Sequence, residues 1–421
     1  MNADRVAIVG WDCASPWLVF EHFASAMPHT QALLQRGAGG RLRSCHPPIT
    51  VPAWMCMATG ADAGEHGVYG FRGVADTTDP GFVLTGAQSF RGPRPIWERL
   101  ASRGLSSHVV GLPGTWPPTS DRIVPGILTP DDHPVPCAGY RYDVADFRNM
   151  APLQLVSEIS EMTVARFDQV EDLAARDDWN LLWVVEIGLD RLHHALWHHV
   201  DPTHPRFTGD SRLAAALRDY YGLLDNRLGR LVALLDDAET AFCVVSDHGA
   251  RPMLGGIRVN EYFRERGWLT LHHEPVGSER LDLAAVDWGR TRAWTTGGYC
   301  ARVYLEDPDP AFHEEVAEAL RALPGPDGER LATQVHAARD LWPLRRGRSP
   351  DLLAYLGDLD YRCLGTVGAG PIHQPSNDRG PDAANHDWDG IIVAAGPGVV
   401  PAALPTSLLG VAGFLEDVLG V

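Results

Sequence analysis

The chain has 421 residues, 45% of them hydrophobic, and carries a formal net charge of −18. That length and apolar content can bury a large core, arranged as one α/β domain with an insertion or as two smaller domains. The acidic balance argues against a nonspecific nucleic-acid or anionic-membrane binder, both of which need basic faces, so an anionic substrate must meet local positive charge.

The N-terminus enters the apolar run VAIVGWD, residues 6–12, with no basic leader, long apolar region or cleavage site, which predicts a soluble cytoplasmic protein. Further strand-length apolar runs are HVVGL at 108–112, LLWVVEI at 181–187, AFCVVSD at 241–247 and GIIVAAG at 390–396. Amphipathic segments between them predict helices over 93–104, 153–176 and 211–237. This alternation predicts a largely parallel sheet sandwiched by helices. From 250 to about 351 the rhythm changes to shorter strands, Pro/Gly/Asp-rich turns and a helix near 310–323 capped by Asp309. The expected division is a catalytic core of residues 1–250 and 352–421, with a smaller α+β cap inserted at 251–351. Seven scattered cysteines, none spaced C-x-x-C, predict buried thiols in a reducing compartment. No segment approaches an uninterrupted transmembrane length.

Several predicted strands end in acidic residues, and in an open α/β sheet the ligand crevice lies beyond the carboxyl ends of the strands. Asp12 ends the first strand. After the run at 181–187, GLDRLHHALWHH places Asp190 and His194 four apart, on one face of a helical turn. Asp247 and His248 are adjacent in SDHG, and His386 precedes the last strand in ANHDWDG. Each alone has an ordinary explanation: an Asp after a strand is commonly a turn residue or cap, and His193, His194, His198 and His199 could form a solvated helix face. Together, three carboxylates and three imidazoles make two three-ligand sites suited to Zn²⁺ or Mn²⁺. In HPPITVPAWMCMATG, residues 46–60, Thr50 stands where a helix N-cap belongs, with Pro52 inside the first turn. Its hydroxyl either satisfies an orphan amide or is aimed into the positive end of the helix, where phosphate binds.

The order GWD, ITVPAW, ATG, GEHG, D-x-x-x-H, SDHG and a late His before GxxxxAGPG resembles the alkaline phosphatase superfamily, in particular its type I phosphodiesterase/nucleotide pyrophosphatase branch. The resemblance implies an alkaline-phosphatase-like α/β fold. It also implies that Asp12, Asp247 and His248 hold one divalent metal, and Asp190, His194 and His386 the other. It makes Thr50 the nucleophile that becomes phosphorylated, though the residue can cap its helix as well. Three ligand carboxylates against two divalent cations leave such a site net positive inside an acidic protein.

The branch carries an asparagine shortly after the HG step, a donor to the phosphoryl group, whereas this chain reads EHGVYGFRG. Phe71 and Arg72 are therefore the expected substrate-binding residues, with Arg72 either replacing the donor or lying on the surface. His66 is expected to be structural. Trp11, Trp54, Tyr69 and Phe71 lie near site residues in sequence and could pack against a substrate's organic group. The expected function is a two-metal phosphoric ester hydrolase acting on small-molecule phosphodiesters or nucleotide-like anhydrides. Its alternatives are a phosphomonoesterase, a phosphonoacetate-type hydrolase, or a non-catalytic metal-binding protein that keeps the fold.

Overall fold

The structure, a computed structural model, describes residues 2–75, 81–176, 178–235 and 239–421. Its centre is a seven-stranded sheet ordered Ala38–Arg43, Asp389–Ala395, Thr240–Val245, Arg5–Trp11, Leu181–Glu186, Ser107–Val110 and Ile123–Val124. The last five run parallel, and the first two are antiparallel to their neighbours. The parallel strands read as continuous apolar runs because both faces of the sheet are covered.

Side-chain alternation assigns each strand residue to one of two cores. Ala7, Val9, Trp11, Leu182 and Val184 pack with helices Pro152–Ala174, Gly188–Val200 and Ser211–Leu235. Val6, Ile8, Leu181, Trp183 and Val185 pack on the other face with Thr50–Thr59, Ile96–Ala101 and Val411–Leu419. Helix Ser211–Leu235 buries Leu217, Tyr220, Tyr221, Leu224, Leu228, Leu231 and Leu235, the one-sided stripe of an amphipathic helix. Its expected end at residue 237 lies outside the described residues.

A third core lies under a four-stranded antiparallel sheet ordered Ala293–Thr296, Ala301–Leu305, Leu352–Tyr355, Gln334–Ala337. Helix Pro310–Arg321 covers it, and the Asp309 carboxylate accepts from the Ala311 amide as the expected cap. Leu352–Tyr355 belongs to this sheet, pairing with Ala301–Leu305 and with Gln334–Ala337. The apolar run there could equally have been a strand of the main sheet; only its pairing decides. A fourth apolar cluster, including Ile49, Tyr69, Tyr299, Trp342, Tyr355 and Trp388, joins this region to the main sheet beside Thr50. All seven cysteines are free and six are buried. Among the described residues, no helix is long and apolar enough to cross a membrane.

Candidate metal centre and nucleophile

Every candidate ligand stands at one edge of the central sheet. Asp12 follows Arg5–Trp11, Asp190 and His194 lie on the helix after Leu181–Glu186, and Asp247 and His248 follow Thr240–Val245. His386 arrives from the opposite direction. It lies on Ala384–Asp387, which pairs antiparallel with Gly249–Pro252, so it reaches the same edge just before the antiparallel strand Asp389–Ala395 begins.

These side chains converge on two positions, each pair of ligand atoms within 4.8 Å: Asp12, Asp247 and His248 at one, Asp190, His248 and His386 at the other. The His248 and His386 rings stack at 3.6 Å, which is why His248 borders both. His194 joins the second group through Asp190, its Nε2 lying 3.4 Å from Asp190 Oδ1, while His386 Nε2 lies 3.3 Å from the same oxygen.

Most of these ligands have one atom fixed by the protein and another left over. Asp12 Oδ2 accepts from the Trp54 indole N–H at 2.6 Å, Asp190 Oδ2 from the Arg191 guanidinium at 2.6 Å, and Asp247 Oδ1 from the Cys13 amide at 3.2 Å. His386 Nδ1 donates to the Pro48 carbonyl at 2.8 Å, and His248 Nδ1 to the Gly249 carbonyl at 3.0 Å. His194 Nδ1 lies 2.7 Å from Asp382 and 3.1 Å from the Ala384 carbonyl. The opposite atoms Asp12 Oδ1, Asp190 Oδ1, Asp247 Oδ2 and His386 Nε2 are buried without a hydrogen-bond partner. Unpaired buried acceptors are costly. Four of them facing common points fit divalent cations, and the bonds behind them are of the kind that orients metal ligands.

The electrostatics agree. Burial, reinforced by Asp247 and Asp190, pushes the Asp12 carboxyl well above its usual range, and burial does the same to Asp247. Burial also acts to raise Asp190, but His194, His386 and Arg191 outweigh it and hold that carboxyl well below its usual range. Burial holds His386 down to about 4 and lowers His248, which keeps both imidazoles neutral as metal ligands require. Burial opposes charge on His194 too, yet Asp382 and Asp190 raise it. Without positive charge the carboxylate cluster resists full ionisation.

Thr50 is the first residue of helix Thr50–Thr59, not its cap. Ile49 holds the extended N-cap conformation, and no side chain caps the helix. Pro52 lacks one of the amides a cap would serve. The buried Thr50 hydroxyl instead lies 3.4 Å from His248 Nε2.

The remaining expectations divide. Phe71 and Arg72 line a cavity of about 550 Å³ whose inner wall holds Ile49, Arg191 and Tyr299. The Tyr299 hydroxyl is 3.3 Å from His194 Nε2, and its ring stacks on His386 at 3.4 Å. Trp11 and Trp54 are fully buried, and the Tyr69 hydroxyl is tied to the Arg346 carbonyl. None of these three lines the cavity, so of the four aromatic candidates only Phe71 does. His66 packs against Phe90 with its Nε2 3.3 Å from Cys56 Sγ. His193, His194 and His199 are buried, so the histidine run is not a solvated face: tertiary packing covers that helix on both sides.

Sequence reasoning missed residues that hold the candidate ligands, among them Arg191, Asp382 and Tyr299, and it gave Trp54 a substrate-packing role where the structure has it gripping Asp12. Gly10 was the available signal. A Cβ there would stand 2.5 Å from Trp54 Cη2, so the glycine admits the indole that grips Asp12.

A family model described as type I phosphodiesterase / nucleotide pyrophosphatase matches residues 6–382. No curated protein sequence matches the chain. Among solved structures, phosphonoacetate hydrolase from Sinorhizobium meliloti, in complex with phosphonoacetate, superposes with a TM-score of 0.67 at 16% identity, covering 99% of this chain and 95% of that one. An inactive threonine-to-alanine variant of murine ectonucleotide pyrophosphatase/phosphodiesterase 5, in complex with AMP, gives 0.60 at 15% identity with the same coverage. The human form of that protein gives 0.60 at 15%, again covering 99% and 95%. At such identities these likenesses speak to the fold.

Proposed function

This chain belongs to the type I phosphodiesterase/nucleotide pyrophosphatase family of the alkaline phosphatase superfamily, and on that premise we propose that it hydrolyses small-molecule phosphodiesters or nucleotide-like anhydrides with Thr50 as covalent nucleophile. Asp12, Asp247 and His248 would hold one divalent cation, and Asp190, His194 and His386 the other. The nitrogen and oxygen donors suit zinc, with manganese the alternative. Such cations supply Lewis acidity to the phosphoryl oxygens and lower the pKa of a bound hydroxyl.

The chain's own contribution is placement. Thr50 presents its oxygen at the start of a helix whose first amides have no intrahelical partners, so the helix terminus faces the incoming phosphoryl group with partial positive charge. Attack by Thr50 Oγ1 forms the threonine O–P bond as the bond to the alcohol or phosphate leaving group breaks, and leaves Thr50 esterified to the phosphoryl group that still carries the substrate's other arm; water then cleaves the Thr50 O–P bond and releases the monoester. The buried Tyr299 ring walls the cavity beside His386, limiting water on that side.

The observation that carries this reading is the Thr50 hydroxyl, released from any capping role and turned toward His248 among orphaned carboxylate oxygens. Acid-quenching the enzyme during turnover and sequencing its modified peptides tests it: the phosphoryl group with the substrate's retained arm is expected on Thr50. Turnover by Thr50→Ala, or an active preparation with one equivalent of metal or none, would overturn it. A second reading, hydrolysis of a monoester or phosphonate, is favoured by the cationic lining of the cavity.

A further inference from the structure

Seven of the 25 residues lining the cavity beside Thr50 are arginines, against one acid, Asp378. In the whole chain arginine supplies 36 of 421 residues, so the cavity is far richer in guanidinium groups than the protein around it.

Four of the seven are used by the fold. Arg191 pairs with Asp190 and Asp143, Arg148 and Arg362 share Asp382, and Arg302 donates to the Tyr69 and Arg72 carbonyls. The other three are Arg72, on Arg72–Val74; Arg280, on Ser278–Arg280; and Arg379, in the loop before Asp382. Among the described residues none of these three guanidinium groups has an ion-pair or hydrogen-bond partner. They come from separate parts of the chain, yet they face one cavity and are near enough to repel each other. Partial burial of its guanidinium, with Arg280 and Arg72 adding to the effect, brings Arg379 down to about 10. Asp378 offsets part of this repulsion, its charge acting to raise Arg379, but among the described residues it makes no ion pair with any of the three, and its Oδ2 accepts from the Gly365 amide at 3.0 Å.

Their position differs from that of the reacting phosphorus. Tyr299 and Ile49 are buried at the inner wall beside Thr50 and the ligands, whereas Arg72, Arg280 and Arg379 are exposed at the opening with Phe82 and Leu84. A phosphoryl group at Thr50 therefore leaves the mouth of the cavity to the rest of the substrate. Resting on the hydrolase reading above, we propose that the substrate carries a second anionic oxyacid group, a carboxylate or a second phosphate, gripped at the cavity mouth by Arg72, Arg280 and Arg379. Guanidinium suits this because its planar fork pairs with carboxylate and phosphate through two hydrogen bonds. A cationic funnel also draws a dianion toward an otherwise acidic protein.

The test uses p-nitrophenyl phosphodiesters, and the matching p-nitrophenyl phosphonates, whose second arm ends in a methyl, a carboxylate or a phosphate group. Wild type is expected to show kcat/KM about tenfold or more higher for the charged arms than for methyl, as charge-assisted hydrogen bonds allow. The arm with the larger ratio identifies the oxyacid. Arg280→Ala with Arg379→Ala should bring the charged-to-methyl ratio toward one, and added salt should do so in wild type. Arg280→Lys with Arg379→Lys should restore part of it. A ratio unchanged by the double alanine substitution overturns this inference and leaves the hydrolase reading standing. Failure of wild type on every compound removes the hydrolase reading itself.

Discussion

Replacing Trp54 with phenylalanine removes the N–H that grips Asp12, together with part of the buried indole that packs against Gly10 and Trp183. That N–H donates to Asp12 Oδ2 at 2.6 Å, while Asp12 Oδ1 has no protein partner. The Asp12 carboxyl is already pushed up by burial and by Asp247 and Asp190, and the Trp54 bond is among the influences that lower it. Trp54→Phe therefore raises it further, and a metal must displace a more tightly held proton. A hydrogen bond to a buried charge contributes about 1.5–3 kcal/mol. Outer-shell substitutions weaken metal binding about 10- to 100-fold, which converts at about 1.4 kcal/mol per tenfold to a matching range. Chelator competition should thus show a metal bound about 10- to 100-fold more weakly in the variant. The deficit should widen from pH 8 to pH 6, because lower pH favours the proton. An affinity within twofold of wild type at both pH values would refute the reasoning and reduce Trp54 to a packing residue.

Thr50→Ala should abolish turnover yet shift stability by less than about 1 kcal/mol, since no helix amide loses a cap; urea unfolding and steady-state kinetics measure the two separately. Gly10→Ala should cost about 1–3 kcal/mol through overpacking and also weaken metal binding, because the new methyl displaces Trp54; a thermal scan and a metal titration check both. Metal-free protein should lose stability as pH rises above about 6.5, the ordinary pKa of histidine. Asp12, Asp247 and His194 have raised folded pKa values, so their stabilisation is complete at low pH and is lost as pH climbs through those values. The lowered values of His248 and His386 act below that window, so denaturant melts from pH 6.5 to 8.5 isolate the effect, and added Zn²⁺ should flatten the slope.

Much of the arrangement was legible because it depends on local chemistry. The five apolar runs became strands within a residue or two of their expected limits, since strands buried on both faces must be apolar throughout. The acids and histidines after those runs were legible as a set because strand ends in one sheet share an edge. Phe71 and Arg72 were found through a local departure from a motif. The other six cavity arginines were not, because nothing near Arg280 or Arg379 in sequence marks it as different from any surface arginine.

The sequence by itself determined the sheet, the chemistry of the candidate ligands and the presence of a hydroxyl at residue 50, all of which follow from periodicity and residue type over short spans. Tertiary structure alone decided three things. It turned Thr50 away from its own helix toward His248, 198 residues away. It drew Leu352–Tyr355 into the second sheet through pairing with Ala301–Leu305 and Gln334–Ala337. It gathered Arg72, Arg280 and Arg379 at one cavity mouth. Each is a meeting of residues remote in sequence, and such meetings are fixed by how whole elements pack, a balance of burial over the entire core that no local pattern encodes.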